Sequence, residues 1–174
     1  MLTAIAEYFG PTLSLAILAQ VVSLVFAIPM GMLAAYRRGT AVDLATVSIS
    51  LLGTAIPGFL LSMFFMLFFG VYLQWLPVGG YAPMAPGLGE PLRYLALPAL
   101  SLGVVQAAYI TRMTRSALLD VLYKNYIRTA RAKGLRESAI LFGQALKNAA
   151  PTILTVVGQS FGSLVTGTIV TEPK

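Results

Sequence analysis

The chain has 174 residues, of which 57% are hydrophobic and only 10% are charged, and its formal net charge is +6. A soluble domain of this size carries far more charge, so the composition indicates a protein of the lipid bilayer. The sequence contains neither Cys nor His, which excludes disulfides and metal sites built on thiolate or imidazole ligands.

Long stretches without charged residues predict the membrane spans, because about 20 apolar residues cross a hydrocarbon core. The sequence therefore predicts an all-α, polytopic transmembrane helix bundle that forms a single domain over residues 1–174. The stretch "LPVGGYAPMAPGLGEP" is rich in Pro and Gly and predicts an exterior loop. The four predicted spans are residues 12–36, 44–73, 92–114 and 152–170, and residues 115–151 are predicted to form a cytoplasmic loop.

The positions of Lys and Arg predict the orientation. Arg37 and Arg38 lie in the first connection, and eight of the 12 basic residues fall between Arg112 and Lys147. Basic connections are usually cytoplasmic, so both chain ends are expected outside. No basic segment precedes the first span, which is therefore expected to be a mature span and not a signal peptide. The outer interface would then carry an aromatic cluster of Tyr72, Trp75 and Tyr81.

No Asp, Glu, Lys, Arg or His lies deep inside any of the predicted spans, and the two charged residues of the third, Arg93 and Arg112, lie at its ends. Carriers driven by protons or ions usually need an ionisable group near the midplane, so a self-powered proton antiporter is disfavoured. The segments "SISLLGTAIPG" and "GQSFGSLVTGT" are rich in small and hydroxyl residues, including the Gly158 and Gly162 pair. Such residues favour either close helix packing or the lining of a polar pathway. Pro57 is expected to kink the second span and to free a backbone carbonyl.

The basic loop has its own pattern. A helix is predicted to continue from the third span through "RSALLDVLYKNYIRTARAKG", supported by Asp120 and Lys124 four residues apart, and to stop at Gly134. A second short helix is predicted from about Arg136 to Asn148. Gly permits a sharp turn between two helices. The small side chains of Thr129, Ala130 and Ala132 would then fit a groove on a soluble partner.

Other interpretations of the basic loop compete with partner docking. The charges can simply obey the positive-inside rule and contact anionic lipid headgroups. Nucleic-acid binding is disfavoured, because no stacking aromatic residues alternate with the charges. The sequence offers no pair of nucleophile and base and no phosphate-binding loop, so we expect no enzyme and no catalytic residue.

Several segments together resemble one family. The stretch "YIRTARAKGL", with "ALKNAAP" and "GQSFGSLVTGTIVTE" after it, resembles the cytoplasmic coupling loop and following helix of ABC-transporter permease subunits. The resemblance is closest to the dipeptide, oligopeptide and nickel class of binding-protein-dependent importers. It extends to "FAIPMGMLAAYRRGTAVD", "IPGFLLSMFFMLFF", "QWLPVGGY" and "LPALSLG", in the expected order. The family's loop motif is Glu-Ala-Ala, three variable residues and Gly; aligned on Gly134, this chain has Arg128, Thr129 and Ala130 at the first three places.

This resemblance implies transport that is powered elsewhere. A second permease subunit would complete the pathway for peptides or related small solutes, and an extracytoplasmic substrate-binding protein would deliver them. Two cytoplasmic ATPase subunits would bind ATP, so the chain itself needs no cofactor. The expected location is a bacterial or archaeal cytoplasmic membrane. The residues implied in ATPase docking are Arg128, Thr129, Ala130, Arg131, Ala132, Lys133, Gly134 and Leu135.

Members of that family carry additional helices at both ends, so the chain is expected to be truncated. Two alternatives remain at this stage. One is a noncatalytic membrane scaffold or assembly protein whose basic loop binds lipid, and the other is an ion-coupled carrier with its buried charge on a missing helix. The sequence leaves open whether the solute is a dipeptide, an oligopeptide, nickel or glutathione, and whether the two permease subunits are identical.

Overall fold

The computed structural model describes residues 2–75 and 89–170, and every regular element in those two ranges is a helix. Side chains are described for residues 12–75 and 95–165. The helices are α1 (Leu2–Tyr36), α2 (Ala41–Ala55), α3 (Gly58–Phe65), α4 (Gly89–Leu122), α5 (Asn125–Ala132), α6 (Glu137–Ile140) and α7 (Leu146–Val170). Two π-helical segments extend them: Met66–Tyr72 follows α3, and Leu141–Ala145 joins α6 to α7.

Three helical runs are long and apolar enough to cross a membrane: Thr12–Tyr36, Leu95–Leu122 and Glu137–Val165. The pair Ala41–Ala55 and Gly58–Tyr72 can form a fourth span, although it is bent by 98°. The all-α membrane bundle expected from the composition is therefore confirmed. The basic end of the bundle is the end that carries Arg37, Arg38 and the basic residues between Arg112 and Lys147. At this end α4 and α6 extend past the apolar stretches that defined the predicted spans.

Pro57 lies at the 98° bend between α2 and α3. The chain is extended at Ile56, and the Pro57 carbonyl accepts hydrogen bonds from the amides of Leu60 and Leu61. Pro57 therefore begins a new helix, and the turn is much larger than a kink within one continuous helix. Pro is favoured at this place because it has no amide hydrogen and its backbone angle suits the start of a helix.

Contacts along α4 establish how the helices run. Gly103 lies against Ala19 and Val22 of α1, and Gly31 lies against Thr114, so α1 and α4 run in the same direction. On α2 and α3, Asp43 meets Arg115 and Ser62 meets Ser101. The α2–α3 pair thus runs opposite to α4 and advances roughly 21 Å along it, at 1.5 Å per residue of α4. Helix α7 also runs opposite to α1, since it places Ile153 near Met32 and Leu164 near Ala16.

Glycine allows α4 to pack closely against its neighbours. A Cβ atom on Gly31 would lie 2.8 Å from the Cβ of Thr114, and one on Gly103 would lie 2.9 Å from Val22. On α2, a Cβ atom on Gly53 would lie 2.9 Å from the Cβ of Ala108. These separations are too short for real side chains, so helix α4 approaches α1 and α2 where one partner has no side chain. Such small-residue contacts are typical of membrane helix bundles.

The predicted continuation of α4 to Gly134 is wrong. Helix α4 ends at Leu122, and Lys124 has extended backbone angles before α5 begins at Asn125. Asp120 and Lys124 form no ion pair among the described residues. The break redirects α5, so that Ile127 can return to the bundle and pack against Ile140.

The predicted separation of a short helix, about Arg136 to Asn148, from the fourth span is also wrong. One helical run extends from Glu137 to Val170 and contains Pro151. Membrane helices tolerate Pro because neighbouring groups can satisfy the backbone carbonyl that it leaves unpaired. The expected exterior loop and Tyr81 lie largely or wholly outside the described residues, whereas Tyr72 and Trp75 are described and exposed.

Candidate coupling site

Helix α5 is amphipathic and packs on the start of α6. Its inner face contributes Ile127 and Ala130, three residues apart, which are buried with Ile140 in a small apolar cluster. Residues three apart lie on one face of a helix, so this spacing explains the burial. Ala130 was expected to contact a partner, but its side chain is enclosed within the chain. Its role here is to fit α5 closely against α6.

Gly134 ends α5 with a defined hydrogen-bonding pattern. Its φ angle is +79°, a left-handed conformation that favours glycine. The Gly134 amide donates to the Arg131 carbonyl at 2.9 Å, and the Leu135 amide donates to the Ala130 carbonyl at 3.3 Å. These two bonds form a Schellman motif, which satisfies carbonyls left open at a helix end. Nothing lies within 4 Å of a Cβ atom built at Gly134, so backbone conformation and not space requires glycine here.

An ion pair closes the turn around Gly134. Arg131 Nε donates to Glu137 Oε1 at 2.6 Å, and Arg131 Nη2 donates to Glu137 Oε2 at 3.2 Å. The Glu137 carboxylate raises the pKa of the Arg131 guanidinium above its ordinary value. Both side chains are exposed, and exposed pairs typically contribute only about 0–1 kcal/mol. The pair therefore sets the relative direction of α5 and α6 more than it stabilises the fold.

The outer surface of this element is open to a partner. The Thr129 hydroxyl donates to the carbonyl of Asn125 at 3.2 Å, so the methyl group and the acceptor lone pairs of the hydroxyl are left for other contacts. Leu135 is a large apolar side chain that remains 44% exposed. Basic and small side chains thus alternate around one exposed helix end. The exposed residues among those implied in docking are Arg128, Thr129, Arg131, Ala132, Lys133, Gly134 and Leu135.

A buried ion pair at the same end of the bundle was missed from the sequence. Arg115 on α4 donates through Nε to Asp43 Oδ1 at 2.5 Å and through Nη2 to Asp43 Oδ2 at 2.8 Å. The Gly39 amide also donates to Asp43 Oδ2, at 2.9 Å. Asp43 is only 5% exposed. The sequence did offer a hint of this pair, because Asp43 directly precedes the second predicted span and Arg115 directly follows the third.

A second contact joins the α1–α2 connection to the start of α5. The Arg38 guanidinium lies 4.5 Å from the centre of the Tyr123 ring. This distance suits a cation–π interaction. Tyr123 occupies the break between α4 and α5. The connection after α1 is therefore linked to α4 through Asp43 and Arg115, and to the residue just before α5 through the Arg38–Tyr123 contact.

The interior of the bundle holds a cluster of amides and hydroxyls, of which the sequence predicted only a part. Gln106 Nε2 donates to the Ser160 carbonyl at 3.3 Å and to Ser163 Oγ at 3.2 Å. Ser160 Oγ lies 3.3 Å from Gln20 Oε1. The segment containing Ser160 and Ser163 was singled out for its small polar residues, but the two glutamines on other helices were not. Their partners become recognisable only when α1, α4 and α7 are packed together.

These features define a class of protein: a multi-pass helical membrane domain with an amphipathic helix and glycine turn projecting at its basic end. Residues 27–172 match the family described as binding-protein-dependent transport system inner membrane component. The chain belongs to this family. Family members of this kind are membrane subunits and not catalytic ones, which agrees with the expectation from the sequence.

Relatives with curated names point in the same direction. A peptide ABC transporter permease protein of Sinorhizobium fredii is 39% identical over 172 residues, which cover 99% of this chain and 55% of that protein. A peptide transport system permease protein of Brucella suis is 42% identical, over 97% of this chain and 54% of the relative. A di/tripeptide transport system permease protein of Pseudomonas aeruginosa is 36% identical, over 94% and 55%. The chain thus spans about half the length of the curated relatives it matches.

Proposed function

We propose that the chain forms part of the translocation pathway of an ABC importer for peptides or related small solutes, in a bacterial or archaeal cytoplasmic membrane. Membership of the permease family supports this proposal, as do relatives named for peptide transport. The observation that carries it is the α5–Gly134 element, an amphipathic helix that stands outside the membrane-spanning runs and keeps a basic outer face open.

The proposed complex has a second permease subunit, two cytoplasmic ATPase subunits and an extracytoplasmic substrate-binding protein. The ATPases would bind the outer face of α5, and ATP-driven closure would move that helix. The small cluster of Ile127, Ala130 and Ile140 would transmit the movement to the α6–α7 run. Coupling of this kind needs an element with two arrangements whose equilibrium both sites bias.

The docking residues divide by position. Thr129, Ala132 and Leu135 would contact the ATPase groove, because they are small or apolar and exposed. Ala130 and Gly134 would hold the shape of the element from within. Three exposed basic residues would supply charge at the rim: Arg128, Arg131 and Lys133.

A single Cys at Ala132 tests the docking role, since the chain has no other Cys. The variant is assembled with the ATPases, the second permease and the binding protein in membranes. We expect site-specific cross-linking to an ATPase subunit, with a yield that changes when nucleotide is added. The matched control is Cys at Ala130, which lies on the same helix but is buried and should cross-link poorly.

Cross-linking from neither position in an importer that transports normally would reject the docking role. If the chain instead binds anionic vesicles in a salt-sensitive manner and tolerates Gly134→Asp, the lipid-binding scaffold is favoured. In the proposed importer, Gly134→Asp should leave ATP hydrolysis measurable while uncoupling it from transport.

A further inference from the structure

The exposed faces of the membrane helices differ in chemistry. Helix α1 presents large apolar side chains, as expected for contact with lipid. The α2–α3 pair likewise exposes many large apolar residues, and α4 is largely enclosed between its neighbours. Among residues 151–165 of α7, by contrast, Leu154 is the one large apolar side chain that is exposed. In the part of α1 whose side chains are described, the exposed large residues are Ile17, Val21, Val25, Phe26, Met30, Leu33 and Tyr36.

The exposed side of α7 is a polar stripe. Thr152, Thr155, Gln159 and Ser163 are all exposed, and their spacing of three, four and four residues keeps them on one face of a helix. Gly158 and Gly162 lie beside the stripe, and nothing lies within 4 Å of a Cβ atom built on either of them. The stripe and the two glycines together form an open, uncharged surface.

Gln159 is the informative member of the stripe. The Thr155 hydroxyl donates to the Pro151 carbonyl at 2.9 Å, and the Ser163 hydroxyl donates to the Ser160 carbonyl at 2.8 Å. These hydroxyls are satisfied within α7 and can face almost any surroundings. The side-chain amide of Gln159, in contrast, forms no hydrogen bond within the described part of the chain. Transfer of an amide from water to hydrocarbon is strongly unfavourable unless the amide finds a hydrogen-bond partner there.

Gln159 lies too deep in the span for its side-chain amide to reach water at the lipid headgroups. Its neighbour Ser160 is level with Gln106, which donates to the Ser160 carbonyl. Gln106 lies 11 residues from the start and 16 from the end of the apolar run Leu95–Leu122. At 1.5 Å per residue, roughly 16 Å of helix separates it from the nearer end. The amide therefore requires polar surroundings well within the span.

We infer that this stripe of α7, with Gln159 at its centre, lines the solute pathway and hydrogen-bonds the backbone amides of a peptide in transit. The inference rests on the proposed transport function. Gln159 carries both a donor and an acceptor, which match the carbonyl and N–H groups of a peptide bond. Gln106 positions the edge of the stripe by holding Ser163. Residues 151–165 contribute no ionisable side chain, so this surface would recognise the backbone irrespective of peptide charge.

Single Cys replacements test the inference in the assembled importer, with cysteine-free partner subunits. Gln159→Cys and Thr155→Cys are compared with Val21→Cys and Val25→Cys on the apolar face of α1. A hydrophilic, membrane-impermeant thiol reagent should modify the α7 positions during turnover, and transported peptide should slow the modification. The same reagent should spare the α1 positions, which a lipophilic maleimide should modify.

A separate kinetic measurement uses Gln159→Leu and Gln159→Asn. Loss of one net hydrogen bond, about 1 kcal/mol, corresponds to about a fivefold rise in KM. Gln159→Leu should show this rise for neutral, acidic and basic peptides alike, whereas Gln159→Asn should recover most of the affinity.

Failure of the inference and failure of the proposed function give different results. Unreactive Cys at both α7 positions in an importer that still transports peptide would overturn the inference, and would indicate that the stripe packs against another helix. Modification by the lipophilic reagent alone would also overturn it, in favour of lipid contact. Absence of peptide transport by the parent chain in the same assembled importer would instead reject the proposed function.

Discussion

Arg115 and Asp43 are 72 positions apart in the sequence, yet their side chains share two hydrogen bonds at the basic end of the bundle. The Gly39 amide adds a third bond to the same carboxylate. Arg is suited to this task because its planar guanidinium matches a carboxylate with two parallel donors. The pair fixes the start of α2 against α4, close to the Arg38–Tyr123 contact at the hinge of α5.

Removal of either partner should destabilise the bundle. Arg115→Gln leaves a nearly buried carboxylate without its main partner. Asp43→Asn removes the negative charge and replaces one of the two acceptor oxygens by an amide donor. A buried polar group without a partner costs about 1–3 kcal/mol, and a charged one costs more. Thermal unfolding of the purified protein in detergent measures the change.

The double variant is the control for a specific interaction. Asp43→Asn with Arg115→Gln should lose less stability than the sum of the losses in the two single variants, with a coupling energy of about 0.5–3 kcal/mol. Arg115→Lys should recover only part of the loss, because an ammonium group lacks the planar fork that meets both carboxylate oxygens in parallel. Strict additivity of the two single changes would mean that the pair does not act as a unit.

The Schellman motif predicts an order of tolerance at Gly134. Ala there must adopt a φ of +79°, at a cost of about 1–2 kcal/mol, although no atom obstructs its methyl group. Gly134→Asn should cost less, because Asn adopts this conformation more readily. Gly134→Val should be the least tolerated of the three. Hydrogen exchange of the α5 amides reports the fraying of this helix, and equal exchange in all three variants would argue against a conformational requirement.

The small cluster beneath α5 predicts a local effect. Ile127 is fully buried, and truncation of such a residue to Ala typically costs about 2–5 kcal/mol. Because the cluster holds α5 on α6, Ile127→Ala should release α5 while the membrane helices remain folded. Amide exchange should therefore accelerate in residues 125–135 and change little in α1 and α4.

The control for this local effect is Thr129→Ala. Thr129 is exposed and its hydroxyl bonds the backbone of its own helix, so its loss should change stability by less than about 0.5 kcal/mol. If Ile127→Ala and Thr129→Ala loosen α5 to the same extent, the buried cluster is not what retains it.

The sequence predicted the fold class because span length and charge content depend little on tertiary detail. It did not predict the break at Tyr123–Lys124, where neither Gly nor Pro interrupts the helical pattern. The break follows from the packing of Ile127 on Ile140, which sequence periodicity does not reveal. The opposite error occurred before the fourth span, which was predicted to begin at residue 152, whereas the helix continues through Pro151.

The orientation of individual side chains was harder to predict than the place of the exposed helix end. The stretch from Arg128 to Leu135 does form an exposed helix end and turn, but Ala130 faces inward because it shares a face with Ile127. Its orientation depends on which side of α5 meets α6. The Asp43–Arg115 pair and the Gln20–Ser160 contact likewise join distant segments, so neither has a local sequence signature.

Close helix packing predicts that replacing Gly31 by Ala lowers the stability of the bundle, whereas the same change at Gly143 does not. Gly31→Ala would place a Cβ atom 2.8 Å from the Cβ of Thr114 and 2.9 Å from the Thr111 carbonyl oxygen. Because the second contact is to backbone, α1 and α4 must separate, and overpacking of this kind costs about 1–3 kcal/mol. Gly143→Ala is the matched control, since nothing lies within 4 Å of its Cβ position. Thermal unfolding in detergent should show a lower Tm for Gly31→Ala and an unchanged or higher Tm for Gly143→Ala. A Tm unchanged by Gly31→Ala would mean that α1 and α4 do not require this close approach.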